Sequence, residues 1–384
     1  MREILLDLTR LLDRALQERL PTGIDRVSLE YVRHYHDRSR ALVRYGGRRV
    51  TLGPADSRRI FEALLDPDDR FGRTVRWCVG KSYFTRWNDD DHSNVLLNIG
   101  HSGLDRPEYP AYVRRYDLRP IFFLHDLIPL SHPEYCRPGE EGKHHKRLAT
   151  MLTLSHGIIV NSAATASALE EYARQQKQQL SPCVIAPLAP SHLSPPAETR
   201  PLAAPYFVVL GTIEPRKNHW LLLHLWRQLI MDYGDAAPRL VIIGQRGWEC
   251  EQVVDMLERC SILSGFVTEL SKCNDQDLST WLHHARALLF PSFTEGFGIP
   301  LVEALTTKVP VITSDLPVLR ETGGYIPEYL DPLDGRAWRD AILEYTRPDS
   351  AARRAQCQRM EGFKTPTWEE HFKRVDSLVE KCLA

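Results

Sequence analysis

The sequence predicts an α/β fold made of two doubly wound, Rossmann-like domains with a cleft between them. Three observations predict it: apolar runs of strand length recur along the chain, helical patterns separate them, and a proline-rich segment divides the series. Near-continuous apolar strands that alternate with helices are typical of parallel sheets buried on both faces. The 384 residues also exceed one ordinary domain.

Seven apolar runs rich in β-branched or aromatic residues are predicted to be strands. They are VLLNIG (95–100), IFFLHDLIPL (121–130), GIIVNS (157–162), YFVVLGT (206–212), LVIIG (240–244), ALLFPS (287–292) and VPVITSD (309–315). None approaches the roughly 18 apolar residues that a membrane-spanning helix requires. We therefore expect no spanning helix.

The predicted domain boundary lies in a linker. Residues 187–205 contain six prolines among small and polar residues, and the strand–helix alternation restarts after them. We predict an N-terminal domain over residues 1–195 and a C-terminal domain over 203–365. The last residues, 366–384, have an amphipathic helical pattern.

Composition excludes several classes of protein. The eight cysteines are scattered without a CxxC pair, which argues against a zinc knuckle and a disulfide framework. The N-terminus lacks the long apolar region of a secretory signal, so we expect a cytoplasmic protein. The formal net charge is −1, with 29 Lys and Arg against 25 Asp and Glu in residues 1–200. This slight excess suits a membrane-surface acceptor or an ordinary solvated surface, and we expect no nucleic-acid partner.

The strongest candidate for chemistry is the segment PSFTEGFGIPLVEAL, residues 291–305. A strand ends there, a glycine-containing loop follows, and Pro300 suits the start of a helix. The backbone amides of Phe297, Gly298 and Ile299 are then expected at a helix N-terminus. Unpaired N–H groups and the helix dipole favour a phosphate at that position.

Two carboxylates flank this turn. Glu295 is expected in the loop and Glu303 inside the first helical turn. Facing a diphosphate they would repel it, so we expect them to accept hydrogen bonds from the hydroxyl groups of a ribose and a sugar. The alternative is a capping loop with two solvated glutamates.

A second candidate is GTIEPRKNH, residues 211–219, at the predicted end of a strand. Ligands of open α/β sheets bind at the carboxyl ends of the strands, and this position delivers Arg216 and Lys217 there. A guanidinium fork and an ammonium suit the two phosphates of a diphosphate. Gly211 and Thr212 are expected to contact the same ligand. The alternative is an ordinary solvent-exposed Arg-Lys pair.

Two further candidates lie in the N-terminal half. His125 in HDLIP follows a predicted strand and could donate a hydrogen bond to a sugar or a leaving phosphate. It could equally be a buried structural histidine bonded to Asp126. Gly23 in PTGIDRV could admit a ligand against the backbone or simply form a turn.

No metal or dinucleotide cofactor is expected. The acidic run Asp89–Asp91 matches a DxD pattern, but it precedes a predicted strand and no second acidic cluster accompanies it. A solvated acidic turn is the preferred interpretation. No GxGxxG motif follows a first strand, which argues against a dehydrogenase.

These residues resemble the retaining glycosyltransferases of family 4, which have the GT-B fold. The resemblance rests on GTIEPRKN, LVIIGQRGWE, VPVITSDLPVLRETGG and above all EGFGIPLVEAL, in which Glu295 and Glu303 have the family's E-x7-E spacing. TGIDRV and HDLIPLSHPEY extend it more loosely into the first half.

The resemblance implies that the C-terminal domain binds a nucleotide sugar and the N-terminal domain an acceptor, with the last helix crossing back onto the first domain. It implies that Arg216 and Lys217 hold the diphosphate and that Glu303 holds the ribose. Glu295 and the backbone of Phe297 and Gly298 would then hold the transferred sugar. His125 would meet that sugar, and Gly23 would lie near the donor. Metal-independent transfer with retention, assisted by the leaving phosphate, is implied as well.

The expected function is transfer of a hexose, with mannose from GDP-mannose as the first choice, to a glycan or lipid-linked acceptor. Surface polysaccharide synthesis, such as that of lipopolysaccharide or capsule, is the expected setting, with possible peripheral association at the inner membrane face. The alternatives are a nucleotide-sugar epimerase, a glycan phosphorylase, or a catalytically silent sugar-nucleotide-binding partner.

Overall fold

The computed structural model describes residues 4–19, 21–45, 48–84, 95–191 and 194–383. The chain forms two compact units. Unit 1 comprises residues 1–130, 139–188 and 367–384, and unit 2 comprises residues 131–138 and 189–366. Among the described residues, no helix combines the length and the apolar character needed to cross a bilayer.

Unit 1 is built on a seven-stranded sheet with the order β3-β2-β1-β4-β5-β6-β7. All neighbours are parallel except β3, which pairs antiparallel with β2. The strands are β1 (Ile4–Asp7), β2 (Ser39–Tyr45), β3 (Arg48–Thr51), β4 (Val95–Asn98), β5 (Arg119–Leu124), β6 (Gly157–Val160) and β7 (Cys183–Ile185). The central strand β4 and its neighbour β5 are buried almost throughout, as expected for a sheet covered on both faces.

The helices of the first half and the last helix belong with this sheet. They are α1 (Thr9–Leu16), α2 (Gly23–Tyr35), α3 (Pro54–Leu65), α4 (Phe71–Phe84), α5 (Tyr109–Arg115), α6 (Ile128–Ser131), α7 (Glu140–Leu154), α8 (Ala163–Gln175) and α16 (Trp368–Leu383). In α16, Asp376 accepts hydrogen bonds from Tyr35 at 2.8 Å and His34 at 2.9 Å. The last helix is thus held by polar contacts with α2 as well as by burial of its own apolar face.

Unit 2 contains a six-stranded, entirely parallel sheet with the order β10-β9-β8-β11-β12-β13. The strands are β8 (Tyr206–Leu210), β9 (Arg239–Ile243), β10 (Val267–Leu270), β11 (Leu288–Phe290), β12 (Val311–Ser314) and β13 (Glu328–Leu330). The helices are α9 (His219–Tyr233), α10 (Glu251–Arg259), α11 (Asp275–His283), α12 (Ile299–Thr306), α13 (Pro317–Gly323), α14 (Gly335–Thr346) and α15 (Ala351–Met360). Every predicted strand of the second half lies in this sheet, which confirms the α/β fold class.

The structure assigns residues 131–138 to unit 2, whereas the sequence-based division placed them in the N-terminal domain. Tyr135 stacks on Phe293 with ring centroids 5.3 Å apart, and Trp248 Nε1 donates to the Tyr135 carbonyl at 3.2 Å. Aromatic stacking and the hydrogen bond from the Trp248 indole therefore hold this loop. Such contacts leave no signal in local sequence patterns.

Candidate active site

The loop that follows β8 passes very close to the loop that follows β9. The Gly211 amide donates to the Ile243 carbonyl at 3.0 Å, and Gly211 has a φ of +131°. A Cβ atom on Gly244 would lie 2.0 Å from the Gly211 carbonyl oxygen. Only glycine allows this approach, which brings the ends of β8 and β9 together. Sequence analysis had treated Gly244 as an ordinary strand residue.

Replacing Gly244 with alanine is expected to destabilise the protein by about 3 kcal/mol or more, since the added methyl group meets rigid backbone. Gly142 in α7 offers the matched control, because a Cβ there meets nothing within 4 Å. Gly142→Ala is expected to stabilise by about 0.5–1 kcal/mol through helix propensity. Chemical denaturation measures both changes, and equal effects would contradict the assigned close approach.

The two cations predicted to bind phosphate follow this loop directly. Residues 215–217 form one turn of 3-10 helix, and Asn218 with a φ of +55° leads into α9. Lys217 is buried, and its Nζ lies 2.5 Å from Glu295 Oε1. Arg216 Nη1 lies 2.8 Å from Glu295 Oε2 and 3.2 Å from the Thr294 carbonyl. Both cations therefore point at the loop that precedes α12.

Glu295 is the shared partner of these cations. Burial alone would raise the pKa of its carboxyl, but the charges of Arg216 and Lys217 outweigh this effect and lower the pKa to about 2. Burial lowers the pKa of Lys217, although Glu295 opposes the change. A carboxylate and two cations thus form one preordered cluster.

Glu214 is a member of this cluster that sequence analysis missed. It is buried, and its carboxylate lies 2.6 Å from Arg216 Nε. Burial raises its pKa, while Arg216 and Lys217 act in the opposite direction. Its position before Pro215 in the motif was the available signal. The guanidinium of Arg216 is consequently held from two sides.

Helix α12 begins at Ile299, after Gly298 with a φ of +93° as its N-cap. A Cβ on Gly298 would lie 2.6 Å from the Leu319 side chain, so this turn requires glycine. Phe297 is buried beside it. The predicted helix tip over residues 297–299 is therefore present. The Phe293 amide, which donates to the Arg216 carbonyl at 2.8 Å, ties the two loops together.

The placement of Glu303 in the first helical turn was wrong. Glu303 is the fifth residue of α12 and lies in the second turn, because the helix begins at Ile299. It is buried, with 5% of its surface exposed. It is thus neither a solvated glutamate nor part of the helix tip.

A cavity of about 490 Å³ opens at the same edge of the unit 2 sheet. It is lined by Gln245, Arg246, Glu269 and Ser271, which follow or end β9 and β10. Arg246 is held by both oxygens of Glu269 at 2.8 Å. The lining is polar and charged, and Thr212 lies partly exposed on the adjoining loop.

His125 lies in unit 1 directly after β5. Its Nε2 is 2.8 Å from the Ile99 carbonyl, to which it donates, and its ring stacks on Phe123 with centroids 4.4 Å apart. Burial lowers its pKa to about 4, so the ring is neutral at pH 7. The bond to Asp126 considered from the sequence is replaced by this backbone bond. A neutral imidazole can still offer Nδ1 as an acceptor.

Gly23 is the first residue of α2 in unit 1 and is exposed. Thr22 is the N-cap, and Asp25 Oδ2 accepts from the Thr22 amide at 2.8 Å, which completes a capping box. Asp25 also pairs with Arg14 at 2.7 Å. The segment thus has a structural role whatever ligand approaches it.

The acidic run Asp89–Asp91 lies outside the described residues. Elsewhere in the described chain, no three His, Cys, Asp or Glu side chains are grouped as metal ligands.

Two solved structures have the same fold as this chain. HepE of Anabaena, solved with UDP and glucose, aligns with a TM-score of 0.70 at 13% identity, over 99% of this chain and 100% of its own. The sucrose-phosphate synthase of Thermosynechococcus elongatus aligns with a TM-score of 0.65 at 15% identity, over 100% and 99%. The class of protein that the fold defines is therefore GT-B, with two α/β domains.

Sequence comparison finds a matching family model and several relatives. Residues 194–323 match the family model described as glycosyl transferases group 1. The serotype-specific mannosyltransferase WbdA of Escherichia coli is 30% identical over 216 residues, which are 52% of this chain and 26% of WbdA. The O-antigen chain mannosyltransferase B of Escherichia coli is 35% identical over 164 residues, 43% of this chain and 42% of that protein. The chain thus spans less than half the length of these relatives.

Proposed function

We propose that this protein is a retaining glycosyltransferase that moves a hexose from a nucleotide-diphosphate sugar to a glycan acceptor in bacterial surface polysaccharide synthesis. Mannose from GDP-mannose is the first choice, because relatives at 30–35% identity are named mannosyltransferases. The acceptor is proposed to be a glycan or a lipid-linked oligosaccharide, reached at the inner face of the cytoplasmic membrane.

One observation supports this proposal above the others: Arg216 and Lys217 converge on the loop that leads into the tip of α12. An ammonium has three N–H donors and a guanidinium has five. Glu295 can therefore keep both groups in place while further donors contact phosphate oxygens. Electrostatic stabilisation of the departing diphosphate by such preordered groups is the proposed source of catalysis.

The remaining roles follow from position. The nucleoside is proposed to enter the cavity beside Gln245 and Glu269, which lies at the same sheet edge as the cations. Glu303 is proposed to accept hydrogen bonds from the ribose hydroxyls, and Glu295 with the amides of residues 297–299 to contact the sugar or its phosphate. Gly211 and Thr212 would line the donor path.

In unit 1, His125 is proposed to contact the transferred sugar and Gly23 to lie near the donor. A neutral His125 would accept a hydrogen bond from a sugar hydroxyl through Nδ1 while Nε2 stays on the Ile99 carbonyl.

A thermal-shift panel of nucleotide sugars tests the donor. A true donor at a hundredfold its dissociation constant stabilises the fold by about 2.7 kcal/mol.

Glu303→Ala is expected to weaken the binding of the preferred nucleotide about tenfold, whichever sugar the nucleotide carries. This is the effect of one lost charge-assisted hydrogen bond. Glu251→Ala, which removes an exposed glutamate of the same unit, is the control.

A loss that varies with the sugar and not with the nucleotide would remove the ribose role from Glu303. Stabilisation without any hydrolysis or transfer would instead favour a silent sugar-nucleotide-binding partner. An epimerised sugar nucleotide would favour an epimerase, and a requirement for free phosphate a phosphorylase.

We further propose that no metal takes part. EDTA is expected to leave the initial rate of transfer unchanged, because Arg216, Lys217 and the α12 amides supply the positive potential that a divalent cation would otherwise provide. The rate is compared with and without added magnesium or manganese. A strict requirement for either ion would return attention to Asp89–Asp91.

A further inference from the structure

Two arginines of unit 1 lie opposite each other without an evident reason. Arg44 in β2 and Arg49 in β3 are paired residues of the antiparallel ladder. Side chains at paired positions share a face of the sheet, with Cβ atoms about 4.5–5.5 Å apart, and like charges there destabilise the sheet. An arrangement with this cost invites a functional explanation.

The two guanidinium groups also have unused donors. Arg44 Nε and Arg49 Nη2 are buried, and neither has a hydrogen-bond partner in the described part of the chain. A Cβ on Gly103 would lie 2.8 Å from Arg49 Nη2 and 3.9 Å from Arg44 Nε, so both nitrogens face one point of the loop after β4. Both side chains remain partly exposed. A ligand would have to approach each arginine from this exposed side.

Aromatic rings hold Arg49 in place. Its guanidinium carbon lies 4.7 Å from the ring centroid of Tyr109 and 5.0 Å from that of Tyr112. Stacking on tyrosine orients the planar group and leaves its edges available for hydrogen bonds. Tyr112 continues towards Tyr116, with ring centroids 5.0 Å apart. Partly exposed aromatic faces next to a cation suit a sugar that carries a negative charge.

Among the described residues, the carboxylates of Asp7 and Asp13 act on this arginine pair through their charge and form no ion pair with it. Asp7 Oδ1 accepts from the Thr9 amide at 3.0 Å. Burial raises the pKa of Asp7 to about 6. The positive charges of Arg49 and Arg44 oppose this rise, but neither arginine donates a hydrogen bond to Asp7 among the contacts that oppose it. Burial also raises the pKa of Asp13, with Arg44 opposing it.

The position within the fold suits a ligand. In the strand order β3-β2-β1-β4, the connections leave in opposite directions from β1 and β4, which makes the gap between these strands the switch point of the sheet. Ligands of open α/β sheets bind beyond the carboxyl ends of the strands at such a point. Asp7 ends β1, and Gly103 lies in the loop after β4. The arginine pair therefore borders the expected crevice of unit 1.

We infer that Arg44 and Arg49 form a site for a phosphate group carried by the acceptor. Two guanidinium forks match the oxygens and the charge of a phosphate better than the single charge of a carboxylate. Assignment of this phosphate to the acceptor rests on the proposed function, whereas the binding of phosphate itself does not. The phosphate belongs either to a sugar or to a lipid headgroup.

Calorimetric titration of the full chain with inorganic phosphate, at matched ionic strength, tests the site. Arg44→Gln and Arg49→Gln are each expected to weaken this binding by about tenfold or more. Arg48→Gln is the control: it removes the same charge from the same strand, but successive strand residues point to opposite faces. Any phosphate that binds at Arg216 and Lys217 binds equally to all variants, so it does not affect the difference in phosphate binding between them. Arg49→Lys keeps the charge and serves if Arg49→Gln fails to fold.

Equal phosphate binding in the wild type, both Gln variants and the Arg48 control would overturn the site, as would an equal loss in the control. To distinguish the sources, vesicles of phosphatidylcholine with and without phosphatidylglycerol are sedimented with the same variants. Retention that is lost only with Arg44→Gln and Arg49→Gln assigns a lipid phosphate, and no retention assigns a sugar phosphate. Stabilisation by GDP-mannose is measured alongside: its absence in the wild type would contradict the proposed donor without affecting the phosphate result.

Discussion

Replacing Lys217 with alanine is expected to lower the rate of sugar transfer by at least about a hundredfold, with a smaller loss of donor affinity. Lys217 is buried, and its ammonium group lies 2.5 Å from Glu295. A buried charge is screened little by water, so in the proposed reaction its removal takes away stabilisation of the negative charge that grows on the leaving diphosphate. The loss should fall mainly on kcat, because that charge is larger in the transition state than in the bound donor.

The measurement is the initial rate of transfer, and of slow donor hydrolysis, per folded molecule. Lys364→Ala removes an exposed lysine of the same unit and is expected to leave both rates unchanged. Thermal unfolding is recorded for each variant, since Lys217→Ala leaves Glu295 with Arg216 as its remaining cation. A folded Lys217→Ala protein with a normal rate would contradict the catalytic assignment.

Acidification is expected to remove about 3 kcal/mol of stability from unit 2 through Glu295 alone. The folded pKa of about 2 lies below the ordinary value of 4.5, because Arg216 and Lys217 outweigh the effect of burial. A lowered carboxyl pKa gives stability that is fully present above pH 4.5. It is lost as the pH falls from about 4.5 to about 2.

Glu295→Gln isolates this contribution from those of other acidic groups. At pH 7 the variant is expected to be about 3–5 kcal/mol less stable, because the buried Lys217 and the partly exposed Arg216 lose their shared carboxylate. At pH 2 the variant and the wild type should be nearly equally stable. Urea unfolding across this range measures the difference, and Glu251→Gln at an exposed position is the control. A stability difference that stays constant from pH 7 to pH 2 would contradict the assigned ion cluster.

Much of the fold and of the donor site could be predicted from local patterns. Apolar runs predicted the parallel strands, since a sheet buried on both faces needs apolar side chains on each. The position of Arg216 and Lys217 after a strand predicted that they would lie at the carboxyl edge of the sheet, where ligands of open α/β sheets bind. Their ion pairs with Glu295 were not predicted, because Glu295 was expected to accept hydrogen bonds from the hydroxyl groups of a ribose or a sugar. Gly298 was predicted at the helix tip because a glycine-containing loop precedes Pro300, which suits the start of a helix.

Other features depended on contacts between distant segments. The closeness of Gly244 to Gly211 appears only when β8 and β9 pair, and Glu214 gains its role only when Arg216 turns towards it. Glu303 was placed one turn too early, because the helix start depends on the conformation of Gly298. The bond of His125 to Ile99 joins residues 26 positions apart, where spacing carries no information.

By itself, the sequence determined the α/β class and the alternation of strands and helices. It also determined which cationic and acidic residues lie near the ends of strands. These properties follow from side-chain periodicity and backbone preferences within short segments. The tertiary structure decided which charges are paired, how deeply each is buried and which donors remain unused, as at Arg44 and Arg49. Charge energies depend on distance and on the exclusion of water, and both arise only when segments remote in the chain pack together.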